Sequence, residues 1–166
     1  LKPKCVAGVP PDYFSETGQL WGNPLYDWEA MKKEKYSWWI SRIEKAAQLY
    51  DVVRIDHFRA FDTYWSVPFG EKTAINGKWE QGPGMDLWNT VREQLGDVSV
   101  IAEDLGDIFD SVKELLKASG FPGMRVLQFG FNPESADNDH LPHNYPTNSV
   151  VYTGTHDNST VLGWYK

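Results

Sequence analysis

The sequence has only one cysteine, Cys5, among its 166 residues. This scarcity excludes a disulfide within the chain and favours a reducing compartment such as the cytoplasm. Long apolar runs are also lacking, since the densest, residues 98–102, is far shorter than the roughly 20 residues of a membrane-spanning helix. No charged segment followed by an apolar one marks a secretory signal at the start. We therefore expect a cytoplasmic protein that does not enter a membrane.

Positive charge is scarce, and the charge balance limits the partners. Lys and Arg number 16 against 23 Asp and Glu, which gives a net charge of −7. A nucleic-acid-binding protein needs clustered Lys and Arg to neutralise phosphates, so no nucleic-acid partner is expected. A glycine-rich phosphate-binding loop is absent, which disfavours a nucleotide-dependent enzyme. Aromatic residues make up 14%, which excludes a disordered acidic tail, because disordered segments are poor in aromatics.

Tryptophan, in contrast, is abundant, with 8 residues. Its usual role is packing in a core, and its other role is to provide a flat surface on which a ligand such as a sugar ring lies. Trp21 and Trp65 stand in polar, turn-rich stretches. This position favours the ligand interpretation for these two residues.

Apolar periodicity predicts alternating strands and helices. The predicted helices are residues 37–50, 86–96 and 110–120, with Ser37, Asp86 and Asp110 as candidate caps. The predicted strands are residues 51–56, 98–102, 124–131 and 149–153, and the predicted loops are residues 5–30, 57–85 and 132–147. This order indicates parallel pairing and an α/β fold. Four strands are half of an eight-stranded barrel, which needs about 250 residues, so a closed barrel does not fit.

Three carboxylates follow predicted strands, namely Asp56, Glu103 and Asp157. In α/β sheets and barrels, ligands bind at the carboxyl ends of the strands, so we expect these side chains to lie near one another. Arg54 stands two residues before Asp56 on the same side of the strand, where its charge would hold the carboxylate ionised and oriented. An attacking carboxylate, a protonated acid and a flat aromatic surface together are typical of glycosyl transfer.

Structural roles for the same residue types stay open. An aspartate at a strand end is often a helix cap or a loop former, and we expect this of Asp104 and Asp107. The Arg-x-Asp pair at residues 54–56 fits a structural salt bridge as well as a site. His140 and His143 are separated by a proline and lack an obvious third ligand, so no metal is predicted.

Four segments resemble a known family. The segments VRIDHFR at residues 53–59, AEDLG at 102–106 and GTHDN at 154–158 resemble the three signature blocks of the 4-α-glucanotransferases, also called amylomaltases or disproportionating enzymes. The segment GVPPDYFSETGQLWGNPLY at residues 8–26 resembles that family's long loop near the acceptor sugars. The blocks occur in the family's order over nearly the whole chain, which makes the resemblance specific.

The resemblance implies a fold and a division of the chain. The family is related to the α-amylases and has a (β/α)8 TIM barrel with insertions, of which this chain would hold approximately strands four to seven with their loops and helices. Residues 1–36 would form an acceptor-side loop region, and residues 37–166 would form barrel strands and helices. Since strands one to three and eight have no counterpart here, we expect a fragment of the catalytic barrel domain that is inactive alone.

The resemblance also implies roles for individual residues. Asp56 would be the nucleophile, Glu103 the general acid/base, and Asp157 the residue that stabilises the transition state by holding sugar hydroxyls. The implied substrate-binding residues are Arg54, His156, Trp21, His57 and Asn158. Neither a metal nor an organic cofactor is implied.

The implied reaction transfers α-1,4-glucan segments between maltooligosaccharides or starch-type glucans by a retaining double displacement. Two other functions stay open, an α-amylase-like hydrolase that uses water as acceptor and a non-catalytic glucan-binding fragment. Trp21 and the cluster at residues 12–14 favour transfer over hydrolysis. A plastid is the alternative to the cytoplasm, because the family includes plastid members.

Overall fold

The computed structural model describes residues 2–13, 15–106, 108–131 and 136–166. Within these ranges the strands are β1 (Cys5–Val9), β2 (Gln19–Pro24), β3 (Val53–Ile55), β4 (Thr63–Pro68), β5 (Lys78–Gln81), β6 (Val100–Ala102), β7 (Gly123–Val126) and β8 (Ser149–Tyr152). The α-helices are α1 (Trp28–Lys33), α2 (Ser37–Leu49), α3 (Gly84–Leu95), α4 (Asp110–Ser119) and α5 (Val161–Tyr165). Short 3₁₀ helices lie at Phe58–Phe61, Leu127–Phe131 and Pro142–Asn144. None of the helices in these ranges combines the length and the apolar character that a membrane span requires.

The predicted parallel pairing is confirmed. β3 pairs with β6 and β7 pairs with β8, both in parallel. Between the two pairs, the Ala102 N–H donates to the Pro122 carbonyl at 2.9 Å, so the spatial order is β3, β6, β7, β8. α3 precedes β6 and α4 precedes β7, which is the arrangement of successive βαβ units. In the described ranges these strands do not close into a barrel.

The strand predicted at residues 124–131 is only half present, because the chain leaves the sheet after Val126. The Val126 N–H donates to His140 Nδ1 at 3.0 Å rather than to a strand, and Leu127–Phe131 forms a 3₁₀ helix. In this helix Gly130 packs against the His140 backbone, where an added Cβ would lie 2.4 Å from the carbonyl oxygen. The ring acceptor and this close contact end the strand early.

An antiparallel sheet occupies two segments that the sequence predicted as loops, residues 5–30 and 57–85. Its strand order is β2-β1-β4-β5. β1 and β2 form a hairpin that includes Gly18 at φ 67°, a backbone conformation that favours glycine. β1 also pairs with β4, which places Cys5 opposite Pro68. The loop prediction was wrong, because the glycines and prolines in these segments mark the turns between strands.

The main core is aromatic and packs around the 3₁₀ turn that follows Asp56. Phe58 and Trp88 are fully buried, with ring centroids 5.9 Å apart. Phe61 lies 5.0 Å from Trp88, and Trp39 of α2 lies 5.4 Å from Phe61. Burial of these rings stabilises the turn, since apolar burial is the dominant favourable contribution to folding.

Packing also explains Trp65, for which the sequence favoured a ligand. Its indole N–H donates to the Ala74 carbonyl at 2.8 Å, and its ring centroid lies 5.2 Å from that of Trp79. An added Cβ on Gly77 would lie 2.2 Å from Trp65 Nε1, so the indole edge faces backbone. The structure therefore corrects the sequence interpretation and gives Trp65 a packing role.

The predicted helix bodies are confirmed, but the caps take other positions. α2 begins with Ser37 and α4 begins with Asp110, so both residues lie inside the helix they were expected to cap. α3 begins earlier, at Gly84, and Asp86 lies in its first turn. There the Asp86 carboxylate accepts a hydrogen bond from Tyr36 Oη at 2.6 Å, which joins α3 to the start of α2 and lowers the pKa of Asp86.

Candidate active site

The register of two parallel strands places Asp56 and Glu103 side by side. Ile55 at the end of β3 is opposite Ala102 at the end of β6, and each carboxylate residue follows directly. The backbone ladder continues past the strands, because the Glu103 N–H donates to the Ile55 carbonyl at 2.9 Å and the Phe58 N–H donates to the Glu103 carbonyl at 2.9 Å. Of the three carboxylate residues expected to lie near one another, these contacts bring two, Asp56 and Glu103, onto neighbouring segments.

Glu103 is half-buried, and both oxygens of its carboxylate accept backbone hydrogen bonds. The His57 N–H donates to Oε2 at 2.7 Å, and the Leu105 N–H donates to Oε1 at 2.7 Å. Burial raises the pKa of Glu103; the two amides and Arg54 oppose that rise, while the charge of Asp56 adds to it. The net effect is an acid that keeps its proton to a higher pH than an exposed glutamate does.

Asp56 differs from Glu103, because its side chain is 78% exposed. Arg54 Nη2 lies 2.5 Å from Asp56 Oδ1, so the predicted contact between the two residues is present. An exposed ion pair of this kind contributes little to stability, typically about 0–1 kcal/mol. The pair therefore orients an open carboxylate more than it holds the fold together.

His57 links this pair of acids to the antiparallel sheet. Its backbone is left-handed, with φ 47°, and this conformation directs its N–H to Glu103. Its ring meets the ring of Trp21 edge to face, with centroids 4.8 Å apart at 83°. Burial lowers the pKa of His57 to about 4, with a further lowering by Arg59 and an opposing effect of Asp56. The imidazole is therefore neutral at pH 7.

Trp21 lies on β2 and is 45% exposed. Its indole N–H donates to Gln19 Oε1 at 3.2 Å, and its ring contacts the His57 ring. The structure thus brings five of the predicted site residues into one continuous cluster: Asp56, Glu103, Arg54, His57 and Trp21.

The other three predicted site residues lie in the loop after β8. His156 Nε2 is 3.4 Å from Asp157 Oδ2, and both side chains are more than two-thirds exposed. The Asn158 carboxamide oxygen accepts hydrogen bonds from Thr155 N–H at 2.8 Å and from Thr155 Oγ1 at 3.0 Å. These contacts lie within the loop, where His156 pairs with Asp157 and Asn158 bonds Thr155.

The sequence did not predict the roles of two buried residues near the site, Asp104 and Arg59. Asp104, expected to be a cap or loop former, is buried and bonds β7 through the Met124 N–H and Arg125. Arg59 is buried, with its guanidinium 4.5 Å from the ring centroids of both Trp79 and Phe109. The residues that contact Asp104 and Arg59 are distant from them in the sequence, so no local sequence pattern predicts these contacts. Asp107 lies outside the described residues.

A metal centre is not assembled within the described ranges, where groups of three or more His, Cys, Asp or Glu with suitable placement do not occur. His140 has a different role, because its Nδ1 accepts the Val126 N–H. Burial lowers the pKa of His140 and thereby keeps Nδ1 available as an acceptor.

Comparison with known proteins adds to this geometry. The profile of the family described as 4-alpha-glucanotransferase matches residues 1–166. A 4-alpha-glucanotransferase of Streptococcus pneumoniae serotype 4 is 59% identical over 165 residues, which cover 99% of this chain and 32% of that protein. A 4-alpha-glucanotransferase of Solanum tuberosum, described as chloroplastic/amyloplastic, is 56% identical over 163 residues, which cover 98% of this chain and 28% of that protein.

Among solved structures, the amylomaltase from Streptococcus agalactiae in complex with acarbose superimposes with a TM-score of 0.94 at 45% identity. The match covers 98% of this chain and 33% of that structure. The chain therefore spans about a third of the length of the relatives it matches.

Proposed function

Because this chain belongs to the 4-alpha-glucanotransferase family, we propose that it carries the nucleophile and the general acid/base of an enzyme that transfers α-1,4-glucan segments. The observation that carries this proposal is the pair formed by Glu103 and Asp56. Burial raises the pKa of Glu103, and Asp56 is exposed beside Arg54. A retaining transfer needs these two states, one acid that keeps its proton and one open carboxylate.

The proposed fold is part of a (β/α)8 barrel, with β3, β6, β7 and β8 as strands four to seven. The consecutive parallel order of these strands and the close superposition on an amylomaltase support this assignment. Residues 1–36 are assigned to the acceptor side and residues 37–166 to barrel strands and helices. The remaining strands would correspond to the two thirds of the relatives that this chain does not match.

In the first chemical step, an oxygen of Asp56 attacks the anomeric carbon of the donor glucan. The bond from that carbon to the 4-oxygen of the leaving sugar breaks, and the bonding electrons go to the oxygen. Glu103 gives its proton to that oxygen, so the leaving segment departs as a neutral alcohol. The products of the step are a glycosyl ester on Asp56 and an ionised Glu103.

In the second step, the 4-hydroxyl of an acceptor glucan replaces the departed sugar. Glu103, now ionised, takes the hydroxyl proton, and the oxygen attacks the anomeric carbon while the ester bond to Asp56 breaks. Two displacements at one carbon retain its configuration. The residues return to their initial states, so the cycle needs neither a metal nor an organic cofactor.

The remaining predicted residues are assigned to sugar binding. Trp21 offers an exposed ring beside His57, which suits stacking of an acceptor sugar. The loop after β8 contains His156, Asp157 and Asn158. In this assignment Asp157 holds sugar hydroxyls in the transition state. The similar amylomaltase from Streptococcus agalactiae is in complex with acarbose, which supports a glucan-type donor and acceptor here.

The proposed location is the cytoplasm, which agrees with the single cysteine. A plastid is the alternative, because the Solanum tuberosum relative is described as chloroplastic/amyloplastic.

The test is a product analysis with maltotriose. This chain is incubated as the 166-residue protein and also as a chimera in which it replaces the matching 165 residues of the Streptococcus pneumoniae relative. An Asp56→Asn variant of each serves as control. The proposal expects the chimera to form glucose and maltooligosaccharides longer than maltotriose, and expects Asp56→Asn to abolish both.

The product pattern separates the other functions. Glucose and maltose without longer products would indicate an α-amylase-like hydrolase. A folded chimera that binds maltotriose and forms no product would indicate a glucan-binding role and would contradict the proposal. Activity of the 166-residue protein alone would contradict only the expectation that the other barrel strands are needed.

A further inference from the structure

Asp104 makes a buried bridge between two neighbouring strands. Its side chain is 6% exposed, and Oδ1 accepts the Met124 N–H at 2.6 Å. Oδ2 pairs with Arg125 Nη1 at 2.9 Å, and the Arg125 side chain is 13% exposed. Both oxygens of a buried carboxylate thus have charged or backbone donors, as a buried carboxylate requires.

The bridge takes the place of a backbone ladder. β6 and β7 are joined by the hydrogen bond from the Ala102 N–H to the Pro122 carbonyl. At the next donor along β7, the Met124 N–H, the acceptor is the Asp104 side chain. Asp104 therefore anchors the end of β6 on β7, at the junction between the two pairs of parallel strands.

Gly123 makes room for this bridge. An added Cβ at Gly123 would lie 2.6 Å from Asp104 Oδ2 and 2.9 Å from its Cγ. These distances are shorter than any normal contact, so the carboxylate occupies the space of the missing side chain. Any larger residue at this position would displace Asp104 without changing its charge.

Asp104 and Glu103 are consecutive, and their carboxylates bond opposite neighbours of β6. Glu103 accepts from the His57 N–H on the β3 side, and Asp104 accepts from the Met124 N–H on the β7 side. We propose that Asp104 is a positioning residue for Glu103: by anchoring the end of β6 on β7, it fixes the direction in which the Glu103 carboxyl group is presented. This inference rests on the proposed acid/base role of Glu103.

The first test measures the position of Glu103 without using activity. The amide proton shifts of His57 and Leu105 report the hydrogen bonds to Glu103, and they are measured by NMR in the 166-residue chain. Asp104→Asn keeps the shape of the side chain but places an uncharged carboxamide next to Arg125. Gly123→Ala keeps the Asp104 carboxylate and displaces it. Both variants are expected to move the two amide shifts upfield.

The amide shift of Ala47 in α2 is the internal control and is expected to stay unchanged in both variants. Unchanged shifts of His57 and Leu105 in a folded variant would overturn the proposal. If Asp104→Asn does not fold, Gly123→Ala, which retains the Asp104 carboxylate but displaces it, provides the same measurement.

The second test uses the leaving group to isolate acid catalysis. Maltotriose needs a proton from the general acid, and maltosyl fluoride does not, because fluoride leaves readily. In the chimera, Asp104→Asn is expected to lower kcat/KM about 10- to 100-fold for maltotriose, the effect of a misplaced catalytic group, and less than about threefold for maltosyl fluoride. Glu103→Gln is the reference variant, which is expected to lose more kcat/KM on maltotriose than Asp104→Asn does and to lose little on maltosyl fluoride.

The outcomes separate the two proposals. Equal losses on both substrates would mean a merely structural role and would overturn the positioning proposal. If Glu103→Gln itself loses nothing on maltotriose, the proposed function fails, and the amide shifts still decide whether Asp104 positions Glu103. Arg125→Met, which removes the ion pair with Asp104, is expected to lose rate on maltotriose and not on maltosyl fluoride. Arg125→Lys keeps the positive charge, and recovery of the maltotriose rate in this variant would support the ion pair as the source of the effect.

Discussion

The ring of Trp21 meets the ring of His57 edge to face, with centroids 4.8 Å apart. His57 directly follows Asp56 and donates its N–H to Glu103, so this one contact connects the antiparallel sheet to both carboxylates. A hairpin that the sequence presents as a loop thus forms part of the wall of the site. Trp21 keeps 45% of its surface exposed beside this contact.

The first prediction concerns acceptor binding by Trp21. Trp21→Ala in the chimera is expected to raise KM for a glucose acceptor by about 2- to 13-fold, because a stacked aromatic contact contributes about 0.5–1.5 kcal/mol. Transfer is expected to fall more than hydrolysis, which uses water and no acceptor sugar. The control is Trp38→Ala, which removes a ring of similar exposure, 47%, from α2. Equal effects of the two substitutions on KM would contradict the role of Trp21.

The second prediction is the pH dependence of the first chemical step. In the proposed mechanism Glu103 must be protonated to give its proton to the leaving sugar, so kcat/KM is expected to fall as pH rises through the pKa of Glu103. Burial raises that pKa above the ordinary value of 4.5, so this fall is expected at a higher pH than for an exposed glutamate. In Glu103→Gln the rate is expected to drop by about 10²–10⁴ and to lose this limb. If Glu103→Gln still shows the fall of kcat/KM at high pH, the fall is due to the titration of another group.

The third prediction concerns the effect of Glu103 on the pH dependence of stability. Because the folded-state pKa of Glu103 is raised by burial, the folded state holds a proton in a pH range where the unfolded state has lost it. Wild-type stability therefore decreases as pH rises through that range and is unaffected below the unfolded-state pKa. The free energy of unfolding of Glu103→Gln, relative to wild type, is expected to increase as pH rises above the ordinary glutamate pKa of 4.5.

Urea unfolding of the 166-residue chain at several pH values measures this trend. Glu114→Gln, at an exposed position of α4, is the matched control, for which no such trend is expected. A flat difference for Glu103→Gln would show that burial does not raise the pKa of Glu103.

The sequence predicts those parts of the fold that depend on local pattern. The bodies of α2, α3 and α4 and the parallel order of β3, β6, β7 and β8 follow from apolar spacing, which neighbouring residues determine. The antiparallel sheet does not follow, because β1 pairs with β4 across the whole of α1, α2 and β3. Its turns contain the same glycines and prolines that an irregular loop would contain.

The site divides in the same way. Asp56 and Glu103 could be placed together because each follows a strand, and the carboxyl ends of parallel strands meet at one edge. The bridge made by Asp104 could not be predicted, since Met124 and Arg125 are some twenty residues away. The packing of Trp65 against Gly77 is equally invisible, because it depends on the turn between β4 and β5.

The fourth prediction follows from the low pKa of His57. Burial lowers this pKa from 6.5 to about 4, so the unfolded chain takes up a proton at a pH where the folded chain does not. Stability is then lost as pH falls from about 6.5 to about 4, by at most about 3 kcal/mol. His57→Asn does not titrate and tolerates a left-handed backbone, so it is expected to abolish this loss. His143→Asn, at an exposed position, is expected to leave it unchanged.

The fifth prediction separates the two interpretations of the pair formed by Arg54 and Asp56. Arg54→Lys keeps the charge and removes the planar guanidinium that orients the carboxylate, so kcat/KM for maltotriose is expected to fall about 100-fold, as for a misplaced nucleophile. Stability is expected to change by less than about 1 kcal/mol, because Asp56 is 78% exposed and exposed pairs contribute little.

The comparison is Lys78→Gln, which breaks the exposed pair between Lys78 and Glu80. It is expected to change stability by a similarly small amount, less than about 1 kcal/mol, and to leave kcat/KM unaltered. Melting temperatures of the 166-residue chain and kinetics of the chimera give the two readouts. Loss of stability in Arg54→Lys in proportion to the loss of activity would favour a structural salt bridge, whereas loss of activity at constant stability assigns Arg54 to orientation of Asp56.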